Sequence, residues 1–112
     1  MLFRSSVPKP RRKKQAKRFA HRRNPAYAAW VREQYCLLGA FPGHTCVGIV
    51  QACHVKSRGS GGGDNSNLLA LCAGAHHQQH SLGTTTFARK WGIDLKLIAD
   101  CLYAAYLATR EP

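Results

Sequence analysis

Acidic residues are scarce in this sequence, and their scarcity sets the first constraint on function. Only five Asp and Glu stand against 17 Lys and Arg in 112 residues, which gives a formal net charge of +12 and a pI near 10.1. An imbalance of this size and sign is typical of proteins that bind polyanions, nucleic acids above all.

Long apolar runs and an even set of cysteines are also missing. No stretch approaches the roughly 18 apolar residues of a membrane span, and the start, Met-Leu-Phe-Arg-Ser-Ser, lacks the apolar core of a secretion signal. The odd count of five cysteines argues against a secreted disulfide framework. We therefore expect a cytoplasmic protein with no membrane partner. An organelle transit peptide is the alternative for the basic start, but its prolines and its Lys/Arg block spoil the amphipathic helix that such a peptide needs.

The positive charge is concentrated at the N-terminus. Residues 1–23 hold ten of the 17 Lys and Arg and no acid, whereas residues 24–112 hold seven against five acids. We expect residues 1–23 to be a disordered arm that grips phosphates without reading sequence; a solubilising or localising tail is the alternative. The side chains expected to contact nucleic acid are Arg11, Arg12, Lys13, Lys14, Lys17 and Arg18 of the arm, with Lys56 and Arg58 of the body.

Residues 24–112 are expected to form one small α+β domain. Asn24-Pro25 is a typical helix start, and Asp94 is expected to cap the last helix. In that last helix, Cys101 is expected in the core, beside a buried stripe formed by Leu95, Ile98, Leu102 and Ala105. The predicted strands are residues 46–55 and 68–72, and the helices before the last one are residues 26–34, 73–81 and 86–91, the latter two ending at Gly83 and Gly92.

The histidines suggest a metal site. His54 ends the first predicted strand, Asn67 opens the second, and His76 and His80 follow on a predicted helix. A spacing of four residues places His76 and His80 on one face of that helix, and imidazoles bind zinc and other transition metals. Such a metal could hold a scissile phosphate while neutral His54 activates water.

These residues resemble the signature of the HNH nuclease family, in which a histidine at a strand end is followed by a Gly-Gly-x-Asp loop, an Asn-Leu pair and two helical histidines. The resemblance covers residues 24–106 and extends to small phage-encoded HNH proteins of the RecA-dependent, recombination-enhancing kind. The matching segments are Cys53-His54-Val55, Gly62-Gly63-Asp64, Asn67-Leu68-Leu69, Leu71-Cys72, His76 and His80, with Asn24-Pro25-Ala26-Tyr27 and Gly92-Ile93-Asp94 for the narrower group.

The resemblance implies both a fold and an activity. The fold would be a ββα-metal (His-Me finger) core with flanking helices, and the activity would be metal-dependent hydrolysis of DNA phosphodiester bonds with low intrinsic sequence specificity. DNA would be the substrate, and a recombinase or another phage DNA-processing protein would be a partner. If the protein is phage-encoded, it would act in the host cytoplasm.

The resemblance also implies individual roles. His54 corresponds to the general base, Asn67 to the residue that holds this base in orientation through the loop backbone, and His76 and His80 to the helical metal ligands. Cys53 stands where the family commonly has an Asp or His as the remaining ligand. A Cys53 thiolate would favour zinc at the active site, whereas magnesium or manganese would fit if Cys53 does not bind.

Three questions stay open at the level of sequence. His77 competes with His76 as a ligand, because it lies three residues from His80. A second, structural zinc ion could be held by Cys36, Cys46 and Cys72 with either His44 or His77. The protein could also be a catalytically inactive, zinc-stabilised nucleic-acid-binding module. A basic recruitment factor for a partner protein would leave the histidine spacing unexplained.

Overall fold

The computed structural model describes residues 23–110, which form a small α+β fold with a two-stranded sheet and four α-helices. The predicted arm lies outside the described residues, except for residue 23. Within residues 23–110, no helix combines the length and the apolar character needed to cross a membrane. The elements in chain order are α1 (Pro25–Arg32), β1 (Val50–His54), β2 (Leu68–Cys72), α2 (Ala73–Leu82), α3 (Thr84–Trp91) and α4 (Leu95–Thr109), with a short 3-10 helix (Arg58–Ser60) between the strands.

The two strands pair antiparallel, and β2 is buried along its whole length. Its register places Val50 opposite Cys72 and His54 opposite Leu68. Alternate residues of a strand face opposite sides of the sheet, so β2 contributes to two apolar clusters. One cluster contains Leu69, Leu71, Ala75 and Phe87, and the other contains Leu68, Ala70, Tyr27 and Tyr106. Because helices cover both faces, β2 is a continuous apolar run instead of an alternating one.

The helix boundaries follow the capping residues named from the sequence. The Asn24 side chain accepts from the Tyr27 backbone N–H at 3.1 Å, and the Asp94 side chain accepts from the Leu97 N–H at 3.1 Å. Gly92 ends α3 with φ +66°, in the left-handed region that favours glycine. The predicted starts of α1 and α4 are therefore confirmed, as is the strand over residues 68–72.

The first strand is shorter than the predicted 46–55. Its ladder begins at Val50, because the backbone before it bonds to the start of α2 instead: Val47 O accepts from Gly74 N–H and Ile49 O from Ala73 N–H, both at 2.9 Å. Gly48 between them has φ +82°, a conformation outside the β region. Residues 46–49 thus accept hydrogen bonds from N–H groups in the first turn of α2, which have no partner within the helix, and β1 has only five residues.

The expectation that Cys101 lies in the core is wrong, since the structure leaves this thiol exposed. Ala105 of the predicted stripe is exposed as well, and the buried residues of α4 are Leu95, Ala99 and Tyr106. The face of α4 that contains Tyr106 is directed at the core because Tyr106 packs on Tyr27 of α1, with ring centroids 4.9 Å apart. A large aromatic contact at one end of α4 thus outweighs the regular aliphatic stripe.

Candidate active site and metal centre

A cavity of about 380 Å³ opens where the end of β1 meets α2 and the start of α3. The side chains of His54, His76 and His80 all line it. Antiparallel pairing makes this possible, because β2 returns along β1 and delivers the start of α2 beside it. The three histidines named from the sequence are therefore neighbours in space.

His76 and His80 point their Nε2 atoms at each other across 2.9 Å. This closeness follows from their spacing on α2, since residues four apart lie one turn above each other. Two imidazole nitrogens that bind one metal ion at about 2.0–2.1 Å lie roughly 2.9–3.4 Å from each other, depending on the angle at the metal. The pair therefore has the separation expected of two adjacent ligands of one divalent ion.

Gln51 of β1 orients the ring of His76, although no motif in the sequence indicates this residue. Its Oε1 lies 2.6 Å from His76 Nδ1. An amide oxygen only accepts, so Nδ1 donates and a neutral ring keeps its lone pair on Nε2. Metal-binding histidines commonly donate their second N–H to such an acceptor. Burial lowers the pKa of His76, and His80 and His54 lower it further, which favours the neutral ring that a metal requires.

Cys53 does not join the histidine pair. Its thiol is buried in the core beside Leu69 and donates to the Gln51 backbone oxygen at 3.4 Å. Burial, with a smaller contribution from the nearby Cys36 and Cys72, raises its pKa to about 12, so the thiol stays protonated. Contrary to the expectation, Cys53 is not a third protein ligand, because its thiol faces the core and keeps its proton. Water or phosphate oxygens would have to complete the shell of an ion held by His76 and His80.

His54 lies at the end of β1, with its ring beside a carboxylate. His54 Nε2 is 2.9 Å from Asp64 Oδ1, and the Asp64 side chain is only 11% exposed. From the other side, Gln79 Nε2 of α2 donates to the His54 backbone oxygen at 3.0 Å. The backbone and the ring of His54 are thus each held by a separate contact.

Asn67 fixes the strand-connecting loop, residues 55–67, without touching His54. Its Oδ1 accepts from the Lys56 N–H at 2.8 Å, and its Nδ2 donates to Lys56 O at 2.9 Å and Gly63 O at 2.7 Å. A single buried amide thereby ties the outgoing and the returning parts of the loop. A residue with these contacts can influence the orientation of His54 only through backbone atoms of the loop.

The loop requires a glycine at position 62. A Cβ placed there would lie 2.0 Å from Lys56 O and 2.8 Å from Asn67 Nδ2. Both atoms belong to the hydrogen bonds that tie the loop, so neither can move away freely. Close backbone approach, and not turn conformation, is the reason for this glycine.

A second cluster combines three thiols with one imidazole. His44 Nε2 lies 4.0 Å from Cys36 Sγ, 3.5 Å from Cys46 Sγ and 3.6 Å from Cys72 Sγ. A tetrahedral zinc ion with the usual Zn–S and Zn–N lengths would separate S and N by about 3.6 Å. Among residues 23–110, this is the only group of three or more Cys, His or acidic side chains whose ligand atoms all lie within 4.8 Å of one another. The group could hold a metal ion such as zinc.

The chemistry of Cys72 agrees with that use. Burial acts to raise its pKa, but backbone N–H groups of Ala75 and Val47, together with His44, lower it to about 6. A thiol with this pKa is largely a thiolate at neutral pH, which is the form that binds metal. Cys72 is also the residue before α2, so an ion here would join the loop that carries Cys36 and His44 to the start of that helix.

His77 belongs to neither group. It is exposed on α2, and its Nε2 lies 3.5 Å from Ser81 Oγ. His44, and not His77, lies beside the three thiols, so the alternative in which His77 is the fourth ligand is wrong. His76, and not His77, is the partner of His80.

The basic residues that were expected to contact nucleic acid are only partly described. Lys56 is exposed at the start of the strand-connecting loop, and Arg58 begins the short 3-10 helix in the same loop. Val55 and Ser57 of this loop line the cavity, so Lys56 lies between two residues of the cavity wall. The six arm residues from Arg11 to Arg18 lie outside the described part of the chain.

Known proteins give no independent guide to the site: no protein-family model, curated protein or solved structure matches this chain.

Proposed function

We propose that this chain is a metal-dependent endonuclease of the HNH (ββα-metal) type, which hydrolyses phosphodiester bonds of DNA. The observation that carries the proposal is the convergence of His54 with the His76–His80 pair in one cavity. The consecutive order of β1, β2 and α2 suits a ββα-metal core.

His76 and His80 would hold one divalent ion. When bound, such an ion polarises the scissile phosphate and neutralises charge that develops on its oxygens. With Cys53 facing the core, no thiolate restricts this site to zinc, so manganese and magnesium remain candidates beside it. Gln51 keeps the Nε2 lone pair of His76 directed at the ion.

His54 would act as the general base. Its neutral ring removes a proton from a water molecule, the water oxygen forms a bond to phosphorus, and the bond from phosphorus to the leaving sugar oxygen breaks. The proton stays on His54 until it passes to solvent, and the leaving oxygen takes up another. Asn67 keeps the loop closed and so maintains the position of His54 relative to the cavity.

The basic arm would supply most of the affinity for DNA. Phosphate contacts by Lys and Arg release counterions, so binding should weaken steeply with salt, with a log–log slope of about −0.9 for each phosphate contacted. Replacing Arg11, Arg12, Lys13 and Lys14 by Gln should reduce that slope in a fluorescence-anisotropy titration. The strand-connecting loop carries no base-reading pattern, so specificity would come from a recombinase or another phage DNA-processing protein, in the host cytoplasm if the protein is phage-encoded.

The four-residue cluster of Cys36, His44, Cys46 and Cys72 would hold a second metal ion, a structural zinc. Its closed set of three thiols and one imidazole leaves no open position for substrate, which is the mark of a structural site. The role would be to stabilise a chain whose apolar core is small.

The test is plasmid nicking by the full-length protein with added Mg²⁺, Mn²⁺ or Zn²⁺. His54→Ala and His80→Ala should each lose activity, and elemental analysis should show one fewer metal ion for His80→Ala. His77→Ala is the matched control, because His77 lies on the same helix outside both metal groups. Equal cutting by wild type and His54→Ala would refute the assignment of the base.

A catalytically inactive, zinc-stabilised nucleic-acid-binding module is the second candidate. The observation in its favour is that the described residues bring only two protein ligands, His76 and His80, to the cavity, whereas the thiol cluster is complete. This module would bind DNA and retain one zinc per chain, but it would not nick DNA with any of the three metals.

A further inference from the structure

We infer that Asp64 is a positioning residue for His54, whose ring it holds with the proton on Nε2, so that Nδ1 is the nitrogen that takes the proton from water. The inference rests on the proposed function, in which His54 is the general base. It gives a role to Asp64, which the resemblance includes in the loop motif without assigning it a function.

The contact between the two side chains fixes the tautomer. Asp64 Oδ1 lies 2.9 Å from His54 Nε2. An ionised carboxylate has no proton to donate, so Nε2 must be the donor. A neutral imidazole with its proton on Nε2 has its lone pair on Nδ1, and this is the only nitrogen that can act as a base.

Asp64 is itself held from a second direction. Its Oδ2 accepts the Asn24 backbone N–H at 2.7 Å, at the first turn of α1, where the helix dipole favours a negative charge. The Asn24 side chain also donates to Asn65 Oδ1 at 2.9 Å. Each carboxylate oxygen therefore has its own partner, which leaves the carboxylate little freedom to rotate away from His54.

The loop closure described above leads to the same residue. Asn67 Nδ2 holds Gly63 O, and the Asn67 backbone N–H donates to Asp64 O at 3.1 Å. Asn67 thus acts on His54 through Asp64, because it fixes the backbone on both sides of this carboxylate. Asn67 is thus connected to the ring of His54 through Asp64, whose backbone it holds and whose carboxylate contacts the ring.

The pair also suits the charge that forms in the reaction. When Nδ1 gains a proton, His54 becomes an imidazolium, and the adjacent carboxylate stabilises that cation without taking the proton itself. A residue that only tied α1 to the loop would need one oxygen facing Asn24. The second oxygen faces His54, and this contact is what a purely structural role leaves unexplained.

The experiment compares Asp64→Asn with Asp100→Asn in the full-length protein. Asp100 is an exposed carboxylate paired with Lys96 on α4, so it controls for the loss of one negative charge. An Asn at position 64 can donate to the ring as well as accept, which permits the wrong tautomer. We expect kcat for plasmid nicking to fall on the order of 10- to 100-fold, with KM within about twofold, because positioned proton transfer is the affected step. Asp100→Asn should match wild type.

Nitrogen-15 NMR of the histidine rings gives a readout that does not depend on cutting. His54 of the wild type should carry its proton on Nε2, with an N–H proton protected from exchange, and Asp64→Asn should lose that protection. A wild-type His54 protonated on Nδ1 would overturn the inference, even if Asp64→Asn fails to fold. Unchanged kcat in a folded Asp64→Asn would also overturn it while leaving the nuclease proposal intact, provided that His54→Ala is inactive. A wild type that cuts no DNA would remove the nuclease proposal and, with it, this role for Asp64.

Discussion

Replacing Gly62 by Ala should open the strand-connecting loop and destabilise the protein. The new Cβ would lie 2.0 Å from Lys56 O, so the outgoing and returning parts of the loop would have to separate by about 1.4 Å or more to reach ordinary contact distance. The Asn67 bonds to Lys56 O and Gly63 O, at 2.9 Å and 2.7 Å, cannot survive that movement together. Each lost hydrogen bond costs about 1 kcal/mol net, and more when a buried donor stays unsatisfied, so we expect a loss of about 2–4 kcal/mol in the free energy of unfolding.

The assay is thermal and urea unfolding of the two variants Gly62→Ala and Gly59→Ala. For a folded body of this size, 1 kcal/mol shifts Tm by about 4–8 °C, so Gly62→Ala should melt at least about 8 °C below wild type. Gly59 lies in the same loop, but a Cβ there meets nothing within 4 Å, so Gly59→Ala should melt within a few degrees of wild type. Equal melting temperatures for the two variants would refute the argument that close approach, and not loop flexibility, requires glycine at position 62.

Three further predictions concern the metal groups. Gln51→Leu should weaken Mn²⁺ binding about 10- to 100-fold in a calorimetric titration, because the ring of His76 loses its acceptor, whereas Gln51→Glu should keep much of the affinity. Cys36→Ser should lower both the zinc content and Tm, and Cys101→Ser, whose exposed thiol lies outside the cluster, should lower neither. The pKa of His76 in the folded protein lies below 6.5, so the unfolded chain takes up a proton at this residue at a higher pH than the folded protein does. The free energy of unfolding should therefore fall as the pH drops below 6.5. In urea titrations without added metal, His76→Gln should lose less of its free energy of unfolding over the same pH range.

Features of the fold that depend on residues close together in the sequence could be predicted from it. Asn24 before a proline and Asp94 before an apolar run are local signals, and both cap the helices as expected. The start of β1 could not be predicted in this way, because residues 46–49 are as rich in β-branched side chains as a strand. What removes them from the strand is a long-range contact, in which Val47 and Ile49 accept from the first residues of α2. The prediction that Cys101 and Ala105 are buried in α4 failed for the same reason, since Tyr27, which packs on Tyr106 of this helix, lies about 80 residues before Tyr106 in the chain.

In the candidate site too, local features could be predicted from the sequence and long-range contacts could not. The His76–His80 pair depends only on helical spacing, so its geometry could be anticipated from the sequence. Gln51 contacts His76 across 25 residues of sequence through strand pairing, and Asp64 contacts His54 across 10 residues through loop closure. No rule of residue spacing predicts either contact. His44 was one of two open alternatives for the thiol cluster, and only the path of residues 36–46 decides between it and His77.

The two candidate metal groups share one helix, and this sharing suggests why so small a chain would keep both. Cys72 precedes α2 and accepts from the Ala75 N–H at 3.4 Å, while His76 and His80 follow one and two turns later. An ion at the thiol cluster would fix the start of α2 against the loop that carries Cys36. Because α2 is rigid over its ten residues, its start also fixes where the histidine pair lies relative to His54 on β1. A structural ion would therefore hold the geometry of the candidate site from a distance and would supplement a small apolar core.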